Sequence, residues 1–206
     1  MNLKLYIFFL FLLIKPFNSL GQKLVFTESL QDAYQDIFSL KIASGEGKII
    51  LSKLKDPQNS MVYYVENYVD FLTLFTQEDE NKYKLLLKNK EYRLEQIKKA
   101  DSKSPYYLFC QAEIILQWAI IKLKFGDRIN GAKDVYEAYR LLEANQKKFP
   151  DFTENLKSLS LIHAMAESLP SWFRKIMGIK GSIQLGTSEI KNLANYAQKS
   201  NHIFLN

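Results

Sequence analysis

Residues 105–125 form the stretch that most restricts how this chain can fold. Its sequence, PYYLFCQAEIILQWAIIKLKF, has one narrow polar stripe of Glu113, Gln117 and Lys124, with Gln111 and Lys122 elsewhere on the circumference. A helix that is apolar almost all round cannot lie on a surface and has to be enclosed by neighbours. Ser104-Pro105 marks its start, cap followed by Pro in the first turn, and Gly126-Asp127 turns the chain after it. The sequence therefore has to supply other helices to cover it.

It supplies them on both sides. Thr27 is placed to cap TESLQDAYQDIFSLKIA, where Leu30, Ala33, Tyr34, Ile37 and Phe38 repeat at helical spacing. Gly45 and Gly47 are expected to break that helix, and a short second one, 48–55, stops at Asp56-Pro57. A third covers 59–75, with Val62, Val65, Tyr68, Val69 and Leu72 on one face. Thr76 and Asp79 resemble a capping box opening a charged helix over 80–99, with Tyr83, Leu86, Leu87, Leu94 and Ile97 inward and an interruption at 88–90. Asp127 caps 128–148, and Pro150 ends it. Asp151 and Glu154 start 153–168, Pro170 opens a short turn that Gly178 closes, and Ser182 caps a last helix to about residue 199. No segment alternates with period two for long. Only 8 Gly and 5 Pro argue against a turn-dense β chain, while 14 Phe and 12 Tyr supply a core. The expectation is all-α, about nine helices joined by short turns.

The pair around Gly126 has a pattern of its own. Trp118 and Ala119 are adjacent on the first helix; Gly131, Val135 and Ala138 follow on the second. Around Pro57, Ala33, Gly45 and Ser52 take the small positions of the same 34-residue scheme, with Ile49 at the bulky one. Small residues at these places let two helix backbones approach closely. This resembles a tetratricopeptide unit, with Lys122 where the usual Tyr would stand. Longer strings, AYQDIFSLKI, YYVENYVDFL, SPYYLFCQAEIILQWAIIKLKFG, AYRLLEANQKKFPDF and GIKGSIQLGTSEIK, resemble an uncharacterised group of exported tetratricopeptide-type proteins from Bacteroidetes. The resemblance covers nearly the whole chain after its first residues. It implies TPR-like helical-hairpin repeats, an α-solenoid, behind a cleaved signal, and it transfers no catalytic residue. The chain closes on HIFLN, apolar where a solenoid should carry a polar cap. Either this is a truncated N-terminal portion, or the last helix packs on something else.

The first 21 residues read as an address. Lys4 precedes ten apolar residues, LYIFFLFLLI at 5–14, and Ser19-Leu20-Gly21 supplies a small-x-small site, with cleavage expected before Gln22. Ten residues fall short of the roughly 20 that span a bilayer. The division is thus 1–21 signal peptide and 22–206 helical domain, periplasmic or secreted, with an uncleaved anchor as the competing reading. Removing 1–21 takes away Lys4 and Lys15, so the net charge falls from +6 to +4. Nucleic acid is not an expected partner.

Candidate chemistry is sparse. GSIQLGTS at 181–188 has phosphate-loop spacing, but Thr187 stands where the Lys is needed; Gly181 reads as a turn residue and Gly186 as a close helix–helix contact. Gly45-Glu46-Gly47-Lys48 reads as an interhelical turn. His163 sits among apolar residues with Glu167 four residues on, His202 lies near the end, and the lone Cys110 belongs to the most apolar helix. No catalytic, cofactor or metal set is assigned, and no small-molecule substrate is inferred. The expected activity is non-catalytic binding of a protein or peptide at the cell envelope, in a groove lined by Tyr64, Asn67, Tyr68, Gln111 and Arg140. The alternatives are an enzyme with a dispersed site, Glu113 near His163, or a membrane-tethered assembly factor.

Overall fold

In a computed structural model of the chain, the described residues are 21–167, 169 and 171–200. The export segment, Ser168, Pro170 and the HIFLN ending lie outside them. The described residues form ten helices: α1 Glu28–Phe38, α2 Ile42–Lys55, α3 Met61–Gln77, α4 Glu80–Leu86, α5 Lys88–Lys98, α6 Tyr106–Lys124, α7 Arg128–Lys148, α8 Glu154–Ala166, α9 Ser171–Met177 and α10 Ile183–Ser200. Among them there is no strand, only two isolated bridges, Gln22 to Ala100 and Lys23 to Asn59.

The enclosed helix is α6. Residues from Phe109 to Ala119 are buried throughout, between α3, α5 and α7. Its strongest partner is α7, antiparallel after a turn in which Gly126 takes φ 85°, a conformation easy only for glycine. Asp127 caps α7 as expected, its carboxylate accepting from the Asn130 N–H. The two rods touch at small residues. A Cβ at Gly131 would sit 3.2 Å from the Ala119 carbonyl and 2.8 Å from Leu123 Cδ2.

The same device joins α1 to α2 and α8 to α10. A Cβ at Gly45 would collide with Ile37 Cγ1 and lie 3.1 Å from the Ala33 carbonyl. One at Gly186 would fall on the Ser160 carbonyl oxygen and 2.6 Å from the Ala164 nitrogen, so the reading of Gly186 as a close contact holds. Gly181 belongs to this seam as well, because its Cβ would lie 2.6 Å from His163 Cα. α3 stands in the middle, against α1, α2, α5 and α6.

Three local expectations are corrected. Gly45 and Gly47 do not break a helix: both lie inside α2, and the break comes earlier, at Ser39–Lys41, where Leu40 takes φ 59°. The helix pair needs a backbone without Cβ at Gly45, which outweighs glycine's poor helix propensity. Thr76 is not a cap, since its hydroxyl donates to the Leu72 carbonyl inside α3; Asp79 alone caps α4 through the N–H groups of Asn81 and Lys82. The charged helix is interrupted at Leu87, leaving Leu87 itself exposed, one residue before the expected 88–90.

Before α1, residues 22–25 run as an extended strap across two interhelix loops. Lys23 N–H donates to the Gln58 carbonyl at 2.9 Å, and Ser60 N–H donates to the Lys23 carbonyl at 2.8 Å. Asp101 N–H donates to the Gln22 carbonyl at 3.0 Å. The Asn59 amide holds Val25 from both sides, accepting its N–H at 3.1 Å and donating to its carbonyl at 2.8 Å.

Candidate functional site

Tyr64 and Tyr68 of α3 point inward. Tyr64 and Tyr68, one turn apart, share a hydroxyl contact of 3.2 Å, and the Tyr68 hydroxyl donates to Glu113 Oε2 of α6 at 2.8 Å. Ser158 of α8 donates to the other oxygen of Glu113. The Lys157 ammonium donates to the Tyr34 hydroxyl of α1 at 3.2 Å, bringing the first and eighth helices together. Burial is the main cause that raises both Tyr64 and Tyr68 well above the ordinary phenol range, with the Glu113 charge adding to it. At Lys157 burial pulls the other way, but Tyr34 and Glu113 together outweigh it and hold the ammonium above its usual value.

Asn67 is the hub of a second network. Its oxygen accepts from Arg93 Nη1 and from Trp118 Nε1, each at 3.0 Å, and its nitrogen donates to Gln117 Oε1 at 2.7 Å. Arg93 also donates to Asp70 at 2.6 Å, and Asn89 donates to the same carboxylate oxygen. Asn67 has no exposed surface.

The groove drawn from sequence is therefore corrected. Tyr64, Asn67, Tyr68 and Gln111 are buried, and only Arg140 is exposed, its guanidinium over the Tyr136 ring on α7. Gln111 donates to the Tyr107 carbonyl one turn back. These tyrosine and amide side chains do not line an open surface because each polar tip has a partner inside the fold.

Glu113 and His163 belong to different places. Glu113 sits under Tyr68 and Ser158, whereas His163 Nδ1 lies 2.8 Å from Glu189 Oε2 of α10. That pair lines a cleft of about 380 Å³ between α8 and α10, with Leu156, Leu159, Leu193 and Tyr196 as apolar walls and Ser160 and Asn192 among its polar groups. Ser160, His163 and Glu189 are the residue types of an acyl-transfer site, but the Ser160 hydroxyl donates to the Leu156 carbonyl at 2.5 Å. A nucleophilic serine would instead be bonded to its base. Cys110 is also apart from His163: its sulfur faces Met61 Sδ at 3.8 Å, and burial raises the thiol well above its ordinary value. Among the described residues no group of three or more His, Cys, Asp or Glu could hold a metal ion, and no helix is long and apolar enough to cross a membrane.

Sequence reasoning missed Glu189, Lys157 and Ser158. Each makes its contact across a helix pair far apart in the chain, and no local spacing signals that. Compared with known protein families, with curated proteins and with solved structures, the chain has no match in any of the three.

Proposed function

We propose that this chain is an exported TPR-like helical scaffold that binds a protein or peptide segment at the cell envelope, after cleavage before Gln22, with no chemistry of its own. One observation carries the reading: two helix pairs are seamed by the same residues in the same register. Ala33 meets Gly45 and Ala119 meets Gly131, twelve positions apart in each case (45 − 33 and 131 − 119). A repeated crossing of that kind supports hairpin repeats over an irregular bundle, because helix contacts in general select small residues without fixing their register.

The partner's place is the α8–α10 cleft in this reading. Its walls are mostly apolar, its volume is within the range of sites that take a small ligand or a few side chains, and His163, Glu189 and Asn192 give it a polar edge. An apolar side chain entering between Leu159 and Leu193, with its backbone hydrogen-bonded at the rim, fits these groups. Affinity capture with the whole chain tests this. A partner lost with Leu193→Arg and kept with Arg140→Ala is the expected result; a partner indifferent to Leu193→Arg contradicts the site. The enzyme alternative rests on Glu113, and loss of a measured activity in Glu113→Gln would be needed to prefer it.

A further inference from the structure

A cavity of about 310 Å³ lies where α2, α3 and α5 meet, separate from the α8–α10 cleft. Ile49 and Ile50 of α2 and Val69 of α3 give it an apolar side. Its other side is an ion pair with bonding capacity left over. Arg93 of α5 is 4% exposed and Asp70 of α3 7%, and both line the cavity. Nη1 of Arg93 donates to Asp70 Oδ2 at 2.6 Å and to Asn67 Oδ1 at 3.0 Å, while Nε faces Glu66 Oε2 at 3.5 Å. Among the described residues Nη2 has no hydrogen-bond partner. Asp70 Oδ1 has none either, since Asn89 also donates to Oδ2. One charged donor and one charged acceptor, held by the same ion pair, are therefore open.

The surrounding charge restricts what can meet them. Glu66 is paired with Lys53 at 2.6 Å, and Asp70 with Arg93. That leaves Glu46 of α2, an exposed member of the lining with no ion-pair partner among the described residues. An anion would satisfy Nη2 but stand among the carboxylates of Glu46, Glu66 and Asp70. A cation would suit Glu46 and Asp70 but offer Nη2 no acceptor. A neutral group that both accepts and donates meets every demand. A primary carboxamide carries its oxygen and one N–H on the same edge, whereas a trans peptide unit carries them on opposite edges.

We propose that this cavity is a second binding site, which takes a primary carboxamide on a short aliphatic stem. The amide oxygen accepts from Arg93 Nη2, its N–H donates to Asp70 Oδ1, and the stem packs on Ile49, Ile50 and Val69. The volume is at the lower end of sites that hold small ligands. A Gln side chain of a peptide and a free small amide share this chemistry.

The test titrates the whole chain, isotopically labelled, with butyramide, butyrate or butylammonium, and follows the Arg93 Nε–H and Ile49 methyl resonances. Butyramide is expected to shift both to saturation and to bind about tenfold more tightly than either ion. Glu46→Arg, a change at an exposed position, should bring butyrate level with the amide at unchanged helical circular dichroism. The peptides acetyl-Gly-Gln-Gly-amide and acetyl-Gly-Glu-Gly-amide separate the two sources. Binding of the Gln peptide alone assigns a side chain; binding of neither, with butyramide bound, assigns a free amide. Butyrate as tight as butyramide on the unaltered chain overturns the proposal, because the Arg93 charge alone then decides. Butylammonium as the tightest of the three overturns it as well, because the acids then decide. So does an unchanged order of the three in Glu46→Arg, or the absence of any saturable shift, which means that water fills the cavity.

Discussion

Asp134 is shared by two lysines. Lys90 and Lys122 donate to the same oxygen at 2.9 and 2.8 Å, and all three side chains are largely withdrawn from water. The three side chains form a charge triad joining α5, α6 and α7. Removing the anion leaves two ammonium groups facing each other, so Asp134→Ala is expected to lose about 3–5 kcal/mol in urea unfolding. The tyrosines give a second outcome. Tyr63 and Tyr139 are each pushed up to about 12, chiefly by burial, with Tyr92 and Glu143 respectively as the next cause. A phenol raised in the folded state contributes stability in full below its unfolded value of 10.0, and that contribution is lost as pH rises towards 12. The unfolding midpoint should therefore fall between pH 10 and 12, together with the rise in phenolate absorbance. Tyr64, Asn67 and Tyr68 explain why the groove could not be read from sequence. The same residue types serve interfaces and buried polar networks, and only three-dimensional partners decide which.

At the level of elements, helix starts are legible wherever a capping side chain does the work, as at Asp127, and hidden where glycine, a breaker by propensity, is held inside a helix by a close contact, as at Gly45. The α1–α2 corner depends on Leu40, a non-glycine residue at φ 59° with its side chain exposed. A left-handed conformation costs a residue with a Cβ about 1 kcal/mol or somewhat more. Leu40→Gly should therefore raise the urea midpoint, and a fall would mean the corner is held differently. The strap makes the opposite case. Asn59→Ala removes both side-chain bonds to the Val25 backbone and leaves the Val25 N–H without its partner, while the carbonyl keeps the Thr27 N–H at 3.0 Å. The expected loss is about 1–3 kcal/mol, with faster amide exchange at Val25. No sequence rule points to this strap, because its bonds to the two loops join residues 34 or more positions apart.

For the whole molecule, all-helical architecture was legible from periodicity and from the enclosed character of residues 105–125, since burial pattern alone dictates both. Both partners of a crossing were readable at Ala33–Gly45 and Ala119–Gly131, whereas at Gly186 the close contact was readable but not the helix it meets. Its partner α8 escaped because the intervening segment carries α9 and lengthens the spacing. The scaffold account stands on these glycine seams. The direct measurement is urea unfolding of four Gly→Ala variants. At Gly47, inside α2 with open space around its missing Cβ, alanine should add about 0.5–1 kcal/mol. At Gly45, Gly131 and Gly186 the methyl meets the facing helix, and each should lose about 1–3 kcal/mol, Gly186 most, because its obstacle is backbone. Opposite signs at Gly47 and the three seam positions are what the account predicts. A gain at all four would mean that the helices do not meet there, and the hairpin scaffold would be contradicted.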